Sequence, residues 1–104
     1  MEKYKVIVSE LAERDLRDIA QYIAVQLASP LTALEIIDKF EEAFSSLEQM
    51  PGRCPPINDA RLSSQGYRKL ILDNYIIFFS IDEKLKAVNV ERILYGRREW
   101  LRLL

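Results

Sequence analysis

The sequence contains no histidine. That absence removes Ser-His and Cys-His nucleophile pairs, histidine metal sites and the side chain that ordinarily exchanges protons near neutral pH. Cysteine occurs once, at Cys54, so neither an internal disulfide nor a zinc cluster can form. Cys54 stands between Arg53 and Pro55 and reads as an incidental loop thiol. Only 3 glycines and 4 prolines occur, which excludes collagen-like and low-complexity chains. Long apolar runs are missing too. The stretch Tyr75 to Ile81 is far short of the roughly 20 residues a membrane helix needs. Met1-Glu2-Lys3-Tyr4-Lys5 leads into a short strand-like run rather than a secretory leader, which predicts a cytoplasmic protein.

What is present has a globular balance. Hydrophobic residues make up 49% and charged residues 30% of 104 positions, enough for one core and one domain over residues 1–104. The net charge of -1 is unevenly spread. Residues 1–50 hold 5 Lys/Arg against 10 Asp/Glu, a balance of -5, and residues 51–104 hold 10 against 6, a balance of +4. The basic second half predicts an acidic partner, whereas the modest overall charge argues against free nucleic-acid binding.

Periodicity sets the elements. Tyr4, Val6 and Val8 alternate along a first strand near residues 3–9. Ser9 can cap the helix that follows, where Ala12, Leu16, Ile19, Ile23 and Leu27 form one stripe over residues 10–28. Ser29-Pro30 reads as a second N-cap with proline at the first helical position. Leu34, Ile37, Phe40, Phe44 and Leu47 carry that helix to Met50, and Pro51-Gly52 ends it. Tyr22, Phe40 and Phe44 read as core. Residues 51–65 read as loop. Strands follow over 66–72, 75–81 and 87–95, joined by Asp73-Asn74 and by the charged turn 82–86; residues 97–104 read as a short helix or tail. The expected fold is α+β: an N-terminal strand, an antiparallel two-helix hairpin, then a three-stranded antiparallel meander. One hairpin covers one sheet face, so Ile76, Phe78 and their neighbours are expected to need a partner.

The candidate site residues are basic and aromatic. Under strict alternation Arg92 shares a face with Val88, Val90 and Leu94, and Glu91 shares the other with Ile93 and Tyr95. Arg68 lies with Leu70 and Leu72. Arg97 and Arg98 precede Trp100, a pairing suited to phosphate or carboxylate because guanidinium groups bind both bidentately.

The ordered set as a whole resembles the RelE/ParE superfamily of toxins from bacterial type II toxin–antitoxin modules. It is carried by Tyr4-Lys5-Val6-Ile7-Val8-Ser9, by Asp15-Leu16, Asp18-Ile19 and Tyr22-Ile23, and by Ser29-Pro30 with Ala33. It continues through Leu47-Glu48-Gln49-Met50-Pro51, Gly66-Tyr67-Arg68, Asn74 to Phe79, and Val90 to Arg98. The resemblance implies a β-αα-βββ fold, a plasmid-stabilisation type of growth-arresting toxin, and a small cognate antitoxin bringing an amphipathic, acidic segment. It implies no cofactor and no metal. Two activities belong to the superfamily, inhibition of DNA gyrase by ParE-like members and ribosome-dependent mRNA cleavage by RelE-like members.

For the mRNA endonuclease (mRNA interferase) alternative, a metal-independent reaction, the catalytic candidates are Arg68, Arg97 and Arg98. RelE-like nucleases usually place Arg after the Tyr of the third strand, but here Tyr75 is followed by Ile76. Arg68 is also a poor proton acceptor. The long hairpin fits ParE-like members, so a gyrase-directed toxin is the leading expectation. An inactive, antitoxin-binding member is the third possibility. The antitoxin- or target-binding candidates are Arg68, Ile76, Phe78, Arg92, Tyr95, Arg97, Arg98 and Trp100.

Overall fold

Ser9 decides where strand becomes helix. In the computed structural model of the protein, which describes residues 3–96, β1 is Lys5–Val8 and α1 is Glu10–Gln21. The Ser9 hydroxyl accepts from the Ala12 amide at 3.0 Å, satisfying an orphan donor of the first turn. The same hydroxyl donates to the Glu91 carbonyl at 3.0 Å, which ties the cap to a strand remote in sequence.

The stripe over residues 10–28 predicts one uninterrupted helix. The chain instead passes at Tyr22–Gln26 into a five-residue π-helical turn. Widening the turn rotates the stripe. Ile23 stays buried, but Tyr22 and Leu27 come out 56% and 55% exposed, so Tyr22 is not the core residue its spacing implied. Ala28, at φ 51°, turns the chain back. α2 then runs over Pro30–Ser46 with proline in its first turn, as expected. Ser29 makes no side-chain cap; its carbonyl accepts the Ala33 amide at 3.0 Å.

α2 stops short of Met50 because Arg53 closes it. Arg53 Nη1 donates to the carbonyls of Ser46, Gln49 and Met50 at 3.2, 2.8 and 3.1 Å. The guanidinium satisfies orphan carbonyls and faces the negative end of the helix dipole. A short 3₁₀ turn occupies Pro51–Arg53. The predicted loop also holds α3, Ala60–Ser64, whose Leu62 amide donates to the capping Asp59 carboxylate at 3.0 Å.

β2 (Tyr67–Leu72), β3 (Tyr75–Asp82) and β4 (Ala87–Tyr95) form the expected antiparallel meander, and β1 joins it parallel to β4 in the order β1-β4-β3-β2. Asp73, at φ 53°, makes the β2–β3 turn. Gly96 lies so close to that turn that a Cβ would sit 3.3 Å from the Asn74 carbonyl, which accepts the Gly96 amide at 2.8 Å.

The two sheet faces are covered differently. Ile77, Phe79, Val88, Val90 and Ile93 pack under the hairpin with Ala12, Ile36 and Phe40. Phe78 and Leu94 point the other way and pack with Ile57 and Leu62. The expectation that the Phe78 face stands open is therefore corrected. The segment carrying Ile57 and α3 folds back over it.

Strict alternation along β4 also fails. Phe78 is opposite Arg92 and Phe79 is opposite Val90, so Glu91 is an extra residue in a β-bulge. The bulge shifts the inward set from Val88 and Val90 to Ile93, and Leu94 goes to the far face. The expected short helix or tail over 97–104, with Arg97, Arg98 and Trp100, lies outside the described residues.

Candidate functional site

The bulge positions one salt bridge. Arg92 Nε and Nη2 donate to the two carboxylate oxygens of Asp15 on α1 at 2.8 and 3.0 Å, and the Ile93 amide donates to the same carboxylate at 2.9 Å. The two side chains are 19% and 12% exposed. The Asp15 hydrogen bond, more than its charge alone, holds the Arg92 guanidinium protonated and opposes the effect of burial. Arg92 thus joins helix to sheet rather than standing on an open face.

Arg68 has a comparable local role. Its register partner is Phe79, which faces the hairpin, and its Nη1 donates to the carbonyls of Cys54 and Gly52 at 2.6 and 3.4 Å. Nearby, the Lys69 amide donates to Pro55 and the Ile57 amide to Tyr67. The Pro55–Ile57 stretch thereby shields part of the β2 edge, where proline costs no ladder bond. Cys54 is buried in this corner, and burial pushes its thiol up despite Arg53 and Arg68, so it stays a protonated, poorly reactive group.

Arg68 and Phe78 consequently sit on opposite sides of the sheet and do not form one surface. Phe78 is 0% exposed and makes no direct surface contact of the kind expected from the sequence. Ile76 is half-buried beside it, and Tyr95 is 37% exposed.

Two features escaped the sequence reading. Glu91, the bulge residue, has its carboxyl pushed up by burial. Tyr67 is raised first by burial and then by the nearby Glu91 charge. The visible signal was the change of step from Val88 and Val90 to Ile93 around a charged pair.

The second feature is a cleft of about 620 Å³ between the hairpin and the end of the sheet. Tyr22, Tyr75 and Tyr95 line it with Asp18, and Ile19 and Leu27 supply aliphatic surface. Tyr75 and Tyr95 meet edge to face at 5.8 Å, and Tyr75 also meets Phe40 at 5.7 Å. Burial raises the Tyr75 phenol, and Tyr95, Tyr22 and Asp73 add to the effect. Asp18 has no ion pair among the described residues. Exposed Val25 and Leu31 extend the apolar surface around the hairpin tip.

Among solved structures, the fold is similar to the chromosomal ParDE toxin–antitoxin system from P. aeruginosa. The TM-score is 0.73 at 21% identity, covering 89% of this chain and 96% of that one. It is also similar to the toxin–antitoxin complex RelBE2 from Mycobacterium tuberculosis. There the TM-score is 0.64 at 22% identity, covering 91% and 93%. These likenesses define the fold class: a strand, a helical hairpin and a three-stranded antiparallel meander, shared with both structures. Comparison with curated protein sequences gives no match. Residues 6–100 match the family described as ParE toxin of type II toxin–antitoxin system, parDE, and the chain belongs to that family. Among the described residues no helix is long and apolar enough to cross a membrane.

Proposed function

We propose that this ParE-family chain arrests bacterial growth by binding a protein target, DNA gyrase, and that a cognate antitoxin neutralises it. The observation that carries this reading is the position of Arg68. Cleavage of RNA by a 2′-hydroxyl needs a proton acceptor, cations around the charged phosphorane and an acid for the leaving oxygen. Arg68 is on the hairpin side of the sheet and is committed to the Cys54 and Gly52 carbonyls. Binding a protein target asks for no such set; it asks for exposed anchors, which Tyr22, Leu27 and Leu31 supply. Ile76 and Tyr95 keep their proposed place in the antitoxin- or target-binding surface. Arg97, Arg98 and Trp100 keep theirs as sequence-based candidates.

One observation favours the RelE-like reading. Glu91 and Tyr67 are neighbouring groups whose protonated forms burial stabilises, a pairing suited to proton transfer.

The test is expression of the full chain with and without the gene beside it, followed by two assays on purified protein. Growth arrest relieved by co-expression, inhibited supercoiling by gyrase and intact mRNA support the proposal. Ribosome-dependent mRNA cleavage that is lost in Glu91→Gln or in Arg97→Ala/Arg98→Ala reverses it. Normal growth despite soluble expression leaves the family fold without the activity.

A further inference from the structure

From the tyrosine-lined cleft we infer a recognition site for an arginine side chain presented by a protein partner. The inference rests on the proposed function only in taking the occupant to be a protein. Three tyrosines converge on the cleft together with Asp18, a carboxylate on the first helix. Aromatic faces carry negative quadrupole potential and attract a guanidinium, which also stacks on them. Asp18 offers the planar carboxylate that a guanidinium fork fits bidentately.

No described cation already holds Asp18, whereas Asp15 and Asp73 are paired with Arg92 and Lys39. Of the residues lining the cleft, Asp18 is the one with a charged side chain, so the local charge favours a cationic ligand.

The cleft is larger than one side chain requires, at about 620 Å³. The remaining room is bordered by Ile19 and Leu27, which suits aliphatic residues on either side of the arginine. Tyr22, at the start of the π-helical turn, is 56% exposed. The occupant is therefore a segment of the type aliphatic–arginine–aliphatic, opposite in charge to the acidic segment expected from the basic half of the sequence.

The experiment titrates the ¹⁵N-labelled full chain with the peptide acetyl-Leu-Arg-Leu-amide and with its citrulline and glutamate counterparts. Citrulline keeps the shape of arginine but loses the charge and exchanges one amino donor for a carbonyl oxygen. The expected result is shifts centred on Asp18, Tyr22, Asn74 and Tyr95 with the arginine peptide, and binding about 3- to 10-fold weaker with citrulline. Asp18→Asn and Tyr22→Leu, both at exposed positions, are expected to weaken the arginine peptide by a similar factor while leaving the free spectrum elsewhere unchanged.

Equal binding of the citrulline peptide, shifts centred away from the cleft, or no saturable binding overturns the inference. The chain itself carries Leu101-Arg102-Leu103, the sequence of the peptide. A gain in peptide affinity in Arg102→Ala or in Arg97→Ala/Arg98→Ala assigns the cleft to the chain's own arginines and also overturns the inference. Growth arrest is scored in parallel. Arrest without arginine binding removes the cleft proposal alone, and arginine binding without arrest removes the toxin reading alone.

Discussion

Asp15 takes donors from Arg92 and Ile93 in one carboxylate, and each of those donors loses its partner if the carboxylate goes. Asp15→Ala is expected to cost about 2–3 kcal/mol, read as a lower urea midpoint, because it removes the acceptor of two guanidinium donors and of a backbone amide together. Arg92→Met is expected to cost less, since the Ile93 amide keeps its acceptor. Glu91 works in the opposite sense. Its carboxyl is raised by burial, so the folded chain holds that proton more firmly than the unfolded chain does. Stability from this group therefore falls as pH rises from the ordinary carboxyl range through the raised value, and the penalty is fully present above it. Glu91→Gln is expected to flatten that slope and raise the thermal midpoint near neutral pH. An unchanged pH profile in this variant would show that the buried carboxyl does not set it.

Among the elements, the Ser9 cap and α3 carry the sharpest expectations. Ser9→Ala removes the acceptor for Ala12 and the donor to Glu91 at once, and is expected to lower stability by about 1–2 kcal/mol, with Ser9→Thr recovering most of it. Leu62→Ala opens a cavity beneath Phe78 and is expected to cost about 2–4 kcal/mol and to increase binding of a hydrophobic dye. These elements were not equally legible in the sequence. β1, the starts of both long helices and the three later strands were, because period and punctuation agreed at Ser9, Pro30, Asp73 and Gly96. α3 was not, since five residues are too few to show a helical period and only Asp59 marked its start. The π-helical turn and the bulge at Glu91 each change the phase of a pattern partway along an element. For that reason Leu27 read as part of the buried stripe, Arg92 as an open-face residue, and the tyrosine cleft did not show at all. Arg68 was legible as a basic strand residue, but its hydrogen bonds to Cys54 and Gly52 depend on a loop path that no local pattern encodes.

At the scale of the whole molecule, the sheet is completed by joining the two ends of the chain. Among the described residues β1 has its only strand partner in β4, with Lys5 opposite Ala87 and Val8 opposite Val90. Tyr4 reinforces the seam, its hydroxyl donating to Glu83 at 2.9 Å and its ring lying 5.3 Å from the Lys86 ammonium. Ile7→Pro, in the middle of β1, is expected to destabilise the protein by about 3 kcal/mol. Hydrogen exchange is the check, with amides facing the seam from β1 and β4 opening together. Contacts this distant in sequence are made late in folding, because the loop must close before the pairing rewards it. The seam also dictates a timetable for synthesis. A ribosome adding about 5–20 residues per second takes roughly 4–16 s to travel from Lys5 to Ala87. Throughout that interval the first strand of each new copy has no partner in existence. Every molecule of this toxin is therefore born unfinished, and its sheet waits for β4 to leave the ribosome.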